Sequence, residues 1–144
     1  MKTLRRFLAT DTPASVVLVR ALVGGVFLAE GIQKFLFPAE LGVGRFAKIG
    51  IPSPEVMAPF VGVVEIAGGL LLLVGLLTRL AAIALTVDIL VAISTTKIPI
   101  LLKQGFWKMA HEARTDWCML LGSLFLLLAG AGAWSIDARL TRDK

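Results

Sequence analysis

The chain has 144 residues, 57% of them hydrophobic, and a mean hydropathy of +0.85. Soluble domains carry about 45–50% apolar residues, so the surplus here has to face lipid as well as a core. The net charge of +5 comes from basic residues scattered around apolar stretches, which argues against a nucleic-acid surface and for anchoring at a membrane. The single cysteine, Cys118, excludes an internal disulfide and any Cys-x-x-Cys redox pair.

At about 20 apolar residues per crossing, this length accommodates four spans in one domain. Residues 1–12 are a basic lead-in, expected as an interfacial helical turn. They lack the short apolar core and cleavage site of a removable signal and read as a retained cytoplasmic tail. Thr12-Pro13 supplies a cap-type residue and a proline for the start of a first span over about 13–36, and Phe37-Pro38 closes it. Within that span, Arg20, Gly24, Phe27, Gly31 and Lys34 fall on one stripe roughly 80° wide, with Glu30 about 80° from it. The two glycines would let another backbone come close, and ionisable groups at that depth normally face protein, water or a ligand.

The connection that follows is punctuated by Gly42, Gly44, Gly50, Pro52 and Pro54, with Arg45-Phe46-Ala47-Lys48 as one short amphipathic turn, and is expected to cap the bundle end. A second span covers about 56–77, where Gly62, Glu65 and Gly69 lie within roughly 60° of one another and Gly68 is adjacent. The turn at Leu76-Leu77-Thr78-Arg79 is so short that a third span, about 79–99, must be an antiparallel neighbour. Asp88 lies near its middle, Lys97 near its end, and Pro99 is expected to stop it. The second long connection, with Lys103, Trp107, Lys108, His111, Glu112 and Arg114, is too polar to cross a bilayer and suits an interface. Thr115-Asp116 opens a fourth span over about 115–134, and Ser135 onward reads as a charged, soluble tail.

These elements predict an all-α integral membrane protein, a four-helix up-down-up-down bundle with both long connections at one end. With a rise of 1.5 Å per residue, Glu65 and Asp88 come within about 3 Å of the bilayer centre and Glu30 about 8 Å toward the long connections. Lys34, Lys97 and Asp116 lie roughly 12–15 Å out on that side, with His111, Glu112 and Arg114 just above. Each span therefore delivers an acid to the same half of the bundle, either as matched structural pairs or as the wall of a polar pocket. Arg20 alone points to the other half, toward Asp137 or Arg79. His111-Glu112-Ala113-Arg114 lacks the second histidine of a His-Glu-x-x-His zinc motif, and acids that can pair with Lys and Arg leave no metal site expected.

Four blocks together resemble the DoxX family of small bacterial membrane proteins. They are Arg20-x3-Gly24-x2-Phe27-x3-Gly31-x2-Lys34-Phe35, Gly50-Ile51-Pro52, Glu65-x2-Gly68-Gly69-x5-Gly75-Leu76-x-Thr78-Arg79, and Gly130-Ala131-Gly132-x-Trp134-Ser135-Ile136-Asp137. The resemblance implies a four-helix integral membrane protein associated with redox systems: thiosulfate:quinone oxidation, quinone or catechol stress, and membrane oxidoreductase complexes. It maps the family's arginine and lysine of the first span onto Arg20 and Lys34, and its glutamate of the second onto Glu65. Asp88 and the run from His111 to Asp116 stand outside that pattern.

The resulting expectation is a multi-pass bacterial inner-membrane protein with cytoplasmic termini, a redox-associated subunit that binds a quinone or similar small molecule. Lys34, Glu65 and His111 would hydrogen-bond its oxygens, with Phe27, Phe35 and Trp107 flanking the ring. Glu30 and Asp88 would handle protons, and Lys97, Glu112, Arg114 and Asp116 would complete the polar set. The small residues Gly24, Gly31, Gly62, Gly68 and Gly69 would serve packing. No haem or flavin motif and no covalently bound cofactor is indicated, so any electron carrier belongs to a membrane oxidoreductase partner. The rival expectations are a small proton-coupled transporter and a non-catalytic assembly partner.

Overall fold

A computed structural model describes residues 12–142. The basic lead-in of residues 1–11 therefore lies outside the described residues. Helices account for the described chain in the order α1 Val16–Leu36, α2 Val43–Lys48, α3 Pro54–Val74, α4 Thr78–Ala92, a π-helical turn Ile93–Lys97, α5 Ile98–Gln104, α6 Phe106–Glu112, α7 Arg114–Ala129 and α8 Ile136–Arg142. No strand forms among these residues. Three stretches are long and apolar enough to cross a membrane: Val16–Leu36, Pro54–Val74 and the continuous run Thr78–Gln104, of 21, 21 and 27 residues. The last of the long helices, α7, has 16 residues. Large apolar side chains such as Leu18, Phe60, Val87 and Leu128 stand exposed on the outer faces.

α1 packs along α3, α3 against α4, α4 against α7, and α7 against α1. The apolar centre is built from Val23, Phe27, Leu72, Leu85, Met119 and Leu126. The α1–α3 seam is unusually close because it is made of glycine. A Cβ on Gly24 would stand 2.8 Å from the Gly69 carbonyl oxygen, and one on Gly31 would stand 2.7 Å from that of Gly62. Two backbones in contact let dispersion and interhelical polar contacts act where lipid provides no hydrophobic drive between helices. Gly68 turns the other way and admits Leu85 of α4. Arg20, Gly24, Phe27 and Gly31 are all buried, as one face of a regular helix requires.

α1 begins a turn later than the Thr12-Pro13 signal, after i→i−3 bonds from Val16, Val17 and Leu18 to Pro13, Ala14 and Ser15. Pro99, expected to stop the third helix, instead sits in the first turn of α5, and the helix runs on to Gln104. Proline removes one donor from the ladder, and the preceding π turn absorbs that mismatch by widening. Side-chain hydroxyls bond the carbonyls there: Ser94 Oγ donates to Leu90 O at 2.7 Å and Thr96 Oγ1 to Ala92 O at 2.6 Å.

The segment after Trp134, expected as a soluble tail, is docked. Ser135, Asp137 and Ala138 are 6%, 2% and 3% exposed. Asp137 accepts from the backbone N–H groups of Leu77 and Thr78 at 2.8 and 3.0 Å, so a residue of α8 caps the start of α4. Arg20, 3% exposed, donates to the carbonyls of Leu72, Leu73, Ala131 and Trp134 at 2.9, 3.0, 2.8 and 2.7 Å. Its charge thus rests on the last carbonyls of α3, the negative end of that helix dipole, and ties them to the Gly130–Trp134 turn. Gly75, at φ +68°, lets the chain turn there, with Leu76 N–H closing on Leu71 O at 3.0 Å.

Candidate functional site

At the end of the molecule opposite Arg20, a cavity of about 620 Å³ lies between α1, α3, α4 and α7, beneath a lid formed by α2 and the 49–52 turn. Glu30 and Lys34 reach it from α1, Glu65 from α3, Asp88 from α4, Lys97 from the π turn and Asp116 from α7. Phe27, Val26, Val61, Ile89 and Met119 supply apolar wall. The convergence follows from helix geometry: Lys34, Glu65, Asp88, Lys97 and Asp116 sit on buried or half-buried sides of elements packed around the cavity, and Glu30 is an exposed lining residue.

The deepest polar group is Glu65, 5% exposed. Lys34 Nζ lies 2.6 Å from its Oε2. The two groups are charge-paired across the α1–α3 seam. Lys34 also donates to the Glu30 backbone oxygen at 3.5 Å. The carboxyl groups of Glu65 and Asp88, on adjacent helices, lie within hydrogen-bonding reach of one another, and Glu30 is close enough to act on Asp88 electrostatically. Nearer the rim, Lys97 Nζ is 3.3 Å from Asp116 Oδ2, which joins the π turn to α7. The wall thus holds four acids, Glu30, Glu65, Asp88 and Asp116, against three bases, Lys34, Lys97 and Arg45, an excess of one formal negative charge.

The remaining predicted residues are placed elsewhere. His111, Glu112 and Arg114 are exposed at the α6–α7 corner and do not line the cavity. Arg114 donates to the His111 backbone oxygen at 2.6 Å. Glu112 pairs with Lys108 at 3.0 Å, one helical turn away, and that hydrogen bond and charge hold its carboxyl below the usual carboxylate range. Trp107 is 83% exposed and stacks edge-on with Phe106, suited to an interfacial belt. Phe35 covers Gly62 on the outer side of the α1–α3 seam. Among the described residues, no group of three or more His, Cys, Asp or Glu side chains is arranged to hold a metal ion.

Sequence reasoning did not single out Arg45, Thr95, Thr96 and Thr115 as site residues, and all four line the cavity. Arg45 carried one signal, a basic residue in a short amphipathic turn between two spans. Thr95 carried another, seven residues after Asp88 and so on the same side of the third span, whereas Thr96 and Thr115 carried none.

Three relatives share most of the chain's length. An uncharacterized membrane protein of Mycobacterium tuberculosis is 52% identical over 95% of this chain and 88% of its own. CatD of Bacillus subtilis, whose name proposes an oxidoreductase, is 31% identical over 89% of this chain and 88% of its own. An uncharacterized protein of Haemophilus influenzae is 32% identical over 87% and 90%. No solved structure matches the chain significantly. Residues 15–98, which carry the glycine seam, Arg20 and the Lys34–Glu65–Asp88 cluster, match the DoxX family, and the chain belongs to that family of membrane proteins.

Proposed function

We propose that this protein is a redox-associated subunit of the bacterial inner membrane that binds a quinone or similar small aromatic molecule in the cavity above Glu65. The observation that carries the reading is a cavity of about 620 Å³ with apolar walls and a buried Lys34–Glu65 pair at 2.6 Å beside Asp88. Small-molecule sites occupy roughly 300–1,000 Å³ and combine apolar lining with a few converging polar groups. Phe27 and Met119 offer contact to a ring, and the polar cluster offers contact to its oxygens. The name of CatD points to the same class of chemistry. A membrane oxidoreductase partner would supply the electron carrier.

In this reading α7 is the fourth span of a single-domain up-down-up-down bundle. At 1.5 Å per residue it rises about 24 Å, short of a hydrocarbon core of about 30 Å, and the Gly130–Trp134 turn completes the crossing. Both termini are assigned to the cytoplasm on the basic residues Lys2, Arg5 and Arg6 ahead of the first span. The proximity of Glu65 and Asp88 on neighbouring helices also suits a proton-coupled carrier, for which flux into liposomes would depend on Asp88.

The test is binding of duroquinone, in both redox states, to the protein in lipid nanodiscs. Wild-type protein binds at least one state saturably, and Glu65→Gln weakens that binding by about tenfold, the effect of disturbing one buried charged contact. Unchanged binding in the variant refutes the assignment.

A further inference from the structure

On the seam between α1 and α7, a Cβ on Gly122 would run into the side chain of Val23, which is fully buried. Arg20 meets Ala131 and Trp134 at one end of this seam, and Glu30 and Asp116 share the cavity at the other, so the two helices run in opposite directions. Seven residues make about two turns, so a residue seven positions along faces nearly the same way. Toward the cavity, Val23 is thus followed by Glu30 on α1, and Gly122 by Thr115 on α7. Were the seam closed along its length, Glu30 and Thr115 would meet as Val23 and Gly122 do. Both are instead exposed, and both line the cavity. The helices therefore part beside the cavity, about 10 Å along from the Val23–Gly122 contact. Neighbouring positions give the gap an inner and an outer side. Phe27 and Met119 are buried and line the cavity, whereas Leu22 and Cys118, across the contact line from them, are exposed and do not. Glu30 precedes the end of α1 at Leu36, so the gap opens roughly 9 Å inside that membrane-crossing helix.

We infer that the cavity takes a ligand dissolved in the membrane, an aromatic head carrying an apolar tail, and that this ligand enters from the lipid between α1 and α7. This deepens the reading of the cavity as a small-aromatic site and rests on it. The head lies among Lys34, Glu65 and Asp88, and the tail runs out between Glu30 and Thr115, beside Leu22 and Cys118. A tail left among lipid chains stays in apolar surroundings, so it incurs no transfer cost when the head binds. The cavity of about 620 Å³ then has to hold the head alone. An ionisable group within a span normally faces protein, water or a ligand, and the polar head passing the gap gives Glu30 that contact.

Because Cys118 is the chain's single cysteine, the outer side of the gap can be narrowed chemically. The experiment is equilibrium binding of decylubiquinone, and of its analogue with methyl in place of decyl, to the full chain in lipid nanodiscs. Each is measured before and after alkylation of Cys118 with N-benzylmaleimide, at matched mole fractions in the lipid. A thermal melt verifies that the alkylated protein folds, and Cys118→Ser treated alike controls for reaction elsewhere. Unmodified protein is expected to bind the two probes with affinities within about threefold of each other. Alkylation is expected to weaken decylubiquinone by about tenfold or more and the methyl analogue by less than about threefold. If unmodified protein binds the methyl analogue and decylubiquinone binds more than about threefold weaker, the pocket is closed to the lipid and the inference alone is overturned. Equal effects of alkylation on the two probes, or none on either, put the tail elsewhere and also overturn it. Binding of neither probe by folded, unmodified protein overturns the small-aromatic reading as well.

Discussion

Replacing Arg20 with methionine keeps the length of the side chain and removes its donors. The carbonyls of Leu72, Leu73, Ala131 and Trp134 then lose four bonds of 2.7–3.0 Å in a place where Arg20 is 3% exposed. Asp137, which faces Arg20 electrostatically while capping α4, loses its nearby cation. Hydrogen bonds between membrane helices average about 0.6 kcal/mol each, and bonds from a charged donor contribute about 1.5–3 kcal/mol. Removing one member of a buried charged network costs about 3–5 kcal/mol, which lies between the sums of those two figures. A loss of that size lowers the melting temperature of a chain this long by roughly 10 °C or more. The assay is thermal unfolding in nanodiscs, together with trypsin cleavage at Arg139, which is exposed on the docked α8. The variant should melt earlier and be cut faster after Arg139, with Arg20→Lys intermediate because an ammonium cannot reach four carbonyls at once. Ligand binding per folded molecule should not change, since Arg20 does not line the cavity. An unchanged melting temperature with unchanged cleavage would refute the role of Arg20 as the clasp between α3 and the C-terminal segment.

The glycine seam predicts a contrast between positions on one helix and its neighbour. Gly69→Ala places a Cβ 2.7 Å from the Gly24 carbonyl oxygen and should destabilise by about 1–3 kcal/mol, whereas Gly25→Ala, with nothing within 4 Å, should stay within about 0.5 kcal/mol of wild type in the same melt. The Lys108–Glu112 pair predicts a pH dependence in α6. Because the folded Glu112 carboxyl titrates below its ordinary value of 4.5, the contribution is present above that value and is lost as pH falls through the lowered folded value. Amide-exchange protection over Phe106–Glu112, corrected for the intrinsic rate at each pH, should therefore fall on acidification in wild type, and Glu112→Gln should abolish the pH step.

The period of an α-helix is set by its own backbone hydrogen bonds, so one chain segment suffices to say which residues share a face. That is why Arg20, Gly24, Phe27 and Gly31 could be placed on one stripe from the sequence, and why the glycines of α1 and α3 could be read as contact surfaces. The apolar lengths of Val16–Leu36 and Pro54–Val74 were legible for the same local reason. Partners that lie far along the chain were not. Arg20 could be recognised as a buried charge, but its acceptors are carbonyls 52 to 114 residues away, and a carbonyl has no sequence signature. The docking of Asp137 onto Leu77 and Thr78, the reach of Arg45 from the lid, and the exclusion of His111 and Trp107 from the cavity depend on how connections fold over the helix ends. The passage of the third helix through Pro99 depends on a π turn stabilised by hydroxyl bonds and by packing around it. Those features arise from contacts among separate segments, whose free energy exists only once the helices have met.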